Sequence, residues 1–154
     1  MSTNQDEHWM QQALALAHEA DRHDEVPVGA IVVRDNAIIG RGFNQPIGLN
    51  DPTAHAEIQA MRDAAQNVGN YRLPNATLYV TIEPCAMCAG AMVHSRISRL
   101  VFGALEPKAG AIVSQTQQLD GEHLNHRVIY EGGVCAESAS QLMSAFFARR
   151  RRQR

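Results

Sequence analysis

No run of about 18 apolar residues occurs in this sequence, so no membrane-spanning helix is expected. Internal repeats, low-complexity tracts and long linkers are absent too, which sets aside repeat architectures and strings of tethered modules. The opening MSTNQDEHWM is polar and acidic and lacks the basic start and apolar centre of a secretory signal. Cysteine is scarce and odd in number, three in 154 residues. Two of the three stand three positions apart. That suits metal binding in a reducing compartment better than a disulfide framework, and a cytoplasmic location is expected.

Basic side chains are also in short supply through most of the chain. The last six residues, RRRRQR, hold five of the 14, leaving nine against 16 acidic side chains in residues 1–148. A body with that deficit does not bind polynucleotides indiscriminately. A nucleic-acid partner would be held by a local basic patch, and the tail at 149–154 is the candidate. From charge alone the tail reads equally well as a solvated helix end.

What is present describes one ordinary domain over residues 1–154, with 45% hydrophobic and 19% charged residues. Trp9, Ala13, Leu16, Ala17 and Ala20 recur at helical spacing, which predicts a helix over 6–22. VPVGAIVV (26–33) and IIGRGF (38–43) flank a turn and predict a hairpin. In NDPTAHAEI, Asp51 or Thr53 can cap a helix whose entry suits Pro52. A strand over 76–82, a helix over 84–94 opened by Pro84 and a strand over 99–104 follow. Residues 105–124 are irregular, with Gly110 and Gly121 as breakers. A strand over 126–131 and a final helix from VCAESASQLM onward complete the chain. Strands alternating with helices predict an α/β fold: a five-stranded mixed sheet, antiparallel in its first pair and parallel later, with helices on both faces.

Cys85 and Cys88 share one face of a helix and lie in its first turn. There the backbone N–H groups and the helix dipole favour thiolates. His55 and Glu57, two apart, converge only at a site lying off a helix end, and the capping signals at 51–53 provide that geometry. Two thiolates and an imidazole fill three corners of a tetrahedral zinc site. A catalytic site leaves the fourth to water, whereas a structural one closes it with protein. Cys135, His94 and His126 are the candidates for a closing ligand, and none has the expected local spacing. Glu57 then stands beside the open corner as general base and acid.

H-x-E followed by P-C-x-x-C resembles the signature of the zinc-dependent nucleoside and base deaminases. EVPVGAIVV, GFNQPIGLNDPTAHAEI, NYRLPNATLYVTIEPCAMCAGAMVHSRI, RLVFGA and NHRV extend the likeness to the bacterial tRNA-specific adenosine deaminases. It covers residues 8 to 150. The resemblance implies a cytidine-deaminase-like three-layer fold and a homodimer with one Zn²⁺ per subunit held by His55, Cys85 and Cys88. Glu57 would shuttle protons, and the substrate would be a wobble adenosine in a tRNA anticodon stem-loop. It further implies substrate contacts from Asn44 and Val26, with Ala54 and Pro84 framing the pocket through backbone groups. Asn125 and His126 would lie near flanking nucleotides, and Arg149, Arg150, Arg151 and Arg152 near the RNA backbone. One departure stands out. Glu106, in LEPKAGA, replaces the family's usual aspartate near the ribose, and AGAIVS lacks a glycine common in that loop. A deaminase of free cytidine or guanine and a structural zinc module that binds RNA are the competing readings.

Overall fold

The computed structural model describes residues 3–153, so Arg154 of the basic tail lies outside the described residues, as do Met1 and Ser2. Helix α1 (Asn4–Arg22) leads into strands β1 (Gly29–Arg34) and β2 (Ala37–Phe43) and a single turn, α2 (Pro46–Leu49). Helix α3 (Ala56–Val68), β3 (Thr77–Ile82), α4 (Ala86–His94) and β4 (Arg99–Ala104) follow. After a long irregular loop with one 3-10 turn at Gln118–Asp120 come β5 (Ile129–Glu131) and α5 (Ala136–Arg152). The five strands form one sheet in the order β2-β1-β3-β4-β5. β1 pairs antiparallel with both β2 and β3, while β3–β4 and β4–β5 are parallel.

Two helical layers enclose the sheet: α1 and α5 on one face, α3 and α4 on the other. The α1 layer follows from its apolar stripe, since Met10, Ala13, Leu14, Ala17 and Ala20 are all buried. Thr3 caps this helix, its Oγ1 accepting from the Asp6 amide at 3.0 Å. α3 lies close on the hairpin because the contact is made of small residues. A Cβ on Gly42 would stand 2.5 Å from the Ala56 carbonyl oxygen, and one on Gly40 would stand 2.4 Å from that of Ala60. Only glycine permits so close an approach. The core between the layers holds Ile31, Leu78, Leu100 and Phe102, none more than 2% exposed.

Several boundaries differ from the sequence expectation. β1 starts at Gly29 rather than 26, because Pro27 has no N–H to pair and the Val28 amide is taken by the Val26 carbonyl. β5 is confined to 129–131, and α2 is a helical turn for which no expectation came from the sequence. α4 begins at Ala86, two residues beyond Pro84.

Candidate active site

Two helix starts meet at one point. β3 delivers the chain through Glu83 and Pro84 to Cys85, the N-cap of α4, which places Cys88 one turn into that helix. His55 is the N-cap of α3, with Glu57 in the first turn. Neither N-cap side chain caps its own helix. Instead both project off the helix ends toward each other. A turn built by Asp51 sets up the α3 start: its Oδ1 accepts from the Thr53 amide (2.8 Å) and hydroxyl (2.7 Å). The Ala56 amide, left without an intrahelical partner, donates to Asn44 Oδ1 at 2.8 Å.

His55 Nδ1 stands 3.6 Å from both Cys85 Sγ and Cys88 Sγ. All three atoms lie within 4.8 Å of one another. Bonds of about 2.05 Å to nitrogen and 2.3 Å to sulfur at a tetrahedral angle leave N and S roughly 3.6 Å apart, so the triangle fits Zn²⁺. Among the described residues this is the one group of ligand-type side chains so disposed, and it contains three members. Exposed His94 ends α4, the Cys135 sulfur accepts from Gln11, and His126 Nε2 faces the Ile97 carbonyl at 2.7 Å. None of these three is part of the group.

The electrostatics match a donor set prepared for a cation. The Cys88 thiol and then the His55 ring hold the Cys85 thiol far below the ordinary thiol range, at about 3. Cys85 in turn raises His55, with Glu57 contributing. Burial pushes the Glu57 carboxyl up to about 7, and the charge on Cys85 adds to the rise.

A cavity of about 160 Å³ opens on this cluster. A void of about 150 Å³ accepts an aromatic ring, so this one is sized for a single nucleobase. Val26, Asn44, His55, Glu57, Cys85 and Glu106 line it, as do Val28, Ile82, Ala109 and Met143. Ala54 and Pro84 are buried and are not among the lining residues, their carbonyls accepting from the amides of Gln45 (3.0 Å) and Ala111 (2.9 Å). Glu106 folds back on its own turn, Oε1 accepting from the Lys108 amide at 2.9 Å.

Asn125 and His126 sit elsewhere. They adjoin Arg96 and Ile97, past the C-terminal end of α4, a helix about 13 Å long whose start carries the cysteines. Arg149 and Arg150 pack onto the end of α1, while Arg151 and Arg152 are exposed. Among the lining residues, sequence reasoning missed Val28, Ile82, Glu83, Ala109 and Met143. Met143 belongs to a helix face that looks like plain core, and Glu83 gives no signal beyond its place beside the cysteine turn.

The family model for MafB19-like deaminase matches residues 4–151. A relative from Haemophilus influenzae named tRNA-specific adenosine deaminase is 53% identical over 150 residues, covering 97% of this chain and 87% of that one. This chain belongs to the tRNA-specific adenosine deaminase family. The deaminase superimposes with a TM-score of 0.85 on a structure from studies of A-to-I editing by tRNA:A34 deaminases at the wobble position of transfer RNA. That pair is 42% identical, covering 88% of this chain and 98% of the other. A guanine deaminase from Nitrosomonas europaea matches at TM-score 0.78 and 24% identity over 96% of this chain and 86% of its own, a likeness of fold alone. The fold of the deaminase is therefore the cytidine-deaminase-like three-layer arrangement.

Proposed function

We propose that this chain converts adenosine to inosine by hydrolysis at the wobble position of a tRNA anticodon loop. The single observation behind this reading is the His55–Cys85–Cys88 triangle opening, beside buried Glu57, into a cavity for one base. Zn²⁺ held there, one per subunit, would activate a water molecule as a nucleophile. The chain's own groups manage the protons. Glu57 accepts a proton from the attacking water and passes it to the purine ring as the oxygen adds to the carbon bearing the amino group. It then relays a proton to that amino group, and ammonia leaves. Asn44, with its oxygen committed to the Ala56 amide, keeps its NH₂ free to donate to the nucleoside. Val26, Val28, Ile82 and Met143 give the cavity apolar walls that limit competing water.

The target carbon is hidden in a stacked helix, so the base must be turned out of the strand, which a hairpin loop allows. Glu106 takes the ribose, and Arg149, Arg150, Arg151 and Arg152 lie toward the RNA backbone. Ala54 and Pro84 frame the base from behind. The enzyme acts as a cytoplasmic homodimer. The distance of Asn125 and His126 from the donor triangle in their own chain supports this arrangement, because they reach flanking nucleotides most readily from a second copy.

Incubation with an anticodon stem-loop bearing a wobble adenosine, and separately with cytidine and guanine, tests the reading. Inosine is expected from the RNA alone, from a protein that sediments as a dimer. Turnover confined to a free nucleoside or base would overturn it. Glu57→Ala is expected to retain zinc and lose activity by at least roughly 10²-fold.

A further inference from the structure

Glu83 is a carboxylate 3% exposed that neither joins the donor triangle nor stands in the proton path, yet it borders the cavity. Five donors converge on it. Oε1 accepts from the Glu106 amide at 3.0 Å and from the Ser114 hydroxyl. Oε2 accepts from the amides of Ile112 (3.1 Å), Val113 (2.8 Å) and Ser114 (2.9 Å). The residues that supply these donors, 106 and 112–114, lie in the irregular loop after β4, where no strand or helix ladder pairs their amides. Gly110 lies against the carboxylate: a Cβ there would be 2.4 Å from Glu83 Cδ and Oε1. The same loop contributes Glu106 and Ala109 to the cavity wall.

We infer that Glu83 is a positioning residue for substrate, the post from which loop 105–114 hangs so that Glu106 and Ala109 form one wall of the base pocket. Neutral amides concentrated on one carboxylate make charge-assisted bonds, each stronger than an amide–carbonyl bond. One buried anion thus replaces the secondary structure that the loop lacks. Glu83 also precedes Cys85 by two residues, between β3 and α4, so the wall is referenced to the same segment as the two cysteines. A loop hung this way sets where the nucleoside lies and leaves the chemical groups untouched. This inference rests on the proposed function, because it takes RNA adenosine as the occupant of the pocket.

Two variants test it. Glu83→Gln puts a donor where five donors converge, and Gly110→Ala drives a methyl group into an intact carboxylate. Both are expected to keep full zinc content, and in both the amides of Ile112, Val113 and Ser114 should exchange hydrogen faster in the protein alone. KM for the anticodon stem-loop should rise roughly tenfold with kcat within about threefold, as expected for misplacement rather than lost chemistry. The double variant should be no worse than the poorer single one. Unchanged exchange and KM in both variants would overturn the inference. So would loss of zinc with a fall in kcat at constant KM, which would make Glu83 a support for the metal turn instead. Should the wild-type chain turn over no RNA, the proposed function falls, while the exchange measurement still decides whether Glu83 holds the loop.

Discussion

Asn44 stands where α3 begins and the pocket is lined. Its oxygen satisfies the first orphan amide of α3, at Ala56, and the residue is part of the pocket lining. The two duties separate by substitution. Asn44→Ala removes both, and is expected to lower stability by about 1 kcal/mol, as loss of a helix cap does, while raising KM. Asn44→Asp keeps an acceptor at a helix N-terminus, so its unfolding midpoint should match wild type while KM still rises. A stable Asn44→Asp protein with normal KM would confine Asn44 to capping. At this scale the His55–Cys85–Cys88 group was legible because its signals are local: two cysteines three apart behind Pro84, and a histidine and glutamate two apart behind the capping residues at 51–53. Glu83 and Glu25 were not legible. Their partners are 23 to 31 residues away for Glu83 and 22 to 23 for Glu25, which takes the amides of Ile47 (3.2 Å) and Gly48 (2.7 Å). No spacing rule reaches that far.

Elements with strong periodicity were read correctly in kind and nearly so in extent; those held by side chains were not. α2 has no apolar stripe to announce it and exists because Glu25 binds its first turn. β5 shortens because the His126 ring, instead of the ladder, engages Ile97, and pairing starts only where the Ile129 amide meets the Ser98 carbonyl. The other long-range device joins α1 to the sheet end remote from the metal donors. Asp6, 3% exposed, accepts from both Arg99 terminal nitrogens (2.9 and 2.8 Å) and from the Tyr79 hydroxyl (2.8 Å). Arg99 chiefly holds its carboxyl below the usual carboxylate range, against the opposing effect of burial. A lowered native pKa stabilises the fold above the unfolded value, near 4, and the contribution vanishes as pH falls through the native one. Asp6→Asn is therefore expected to lose about 2–4 kcal/mol at pH 7 in urea unfolding. The gap should narrow below about pH 4, where wild type protonates. A gap independent of pH would assign the loss to packing.

Across the whole molecule, the arginine tail is not uniform. Arg149 reaches Asp21 at 2.6 Å and lies over the Phe146 ring, and Arg150 donates to the Asp24 carbonyl, so these two clamp α5 to the end of α1. Arg151 and Arg152 face solvent. Arg149→Ala should lower stability by up to about 1 kcal/mol. Arg151→Ala and Arg152→Ala should leave unfolding unchanged and each reduce the slope of log affinity against log salt by about 0.7. An unaltered slope in both would remove Arg151 and Arg152 from RNA binding.

The glycine and alanine contact between β2 and α3 bears on how such a protein changes its diet. Backbone rests on backbone there, with no deformable layer between, so the platform bearing His55 and Glu57 has no room to shift for a differently shaped ring. Novelty in what is hydrolysed must then arise in the rim hung from Glu83, whose length and residues can drift while the hydrolytic machinery beneath stays as it is.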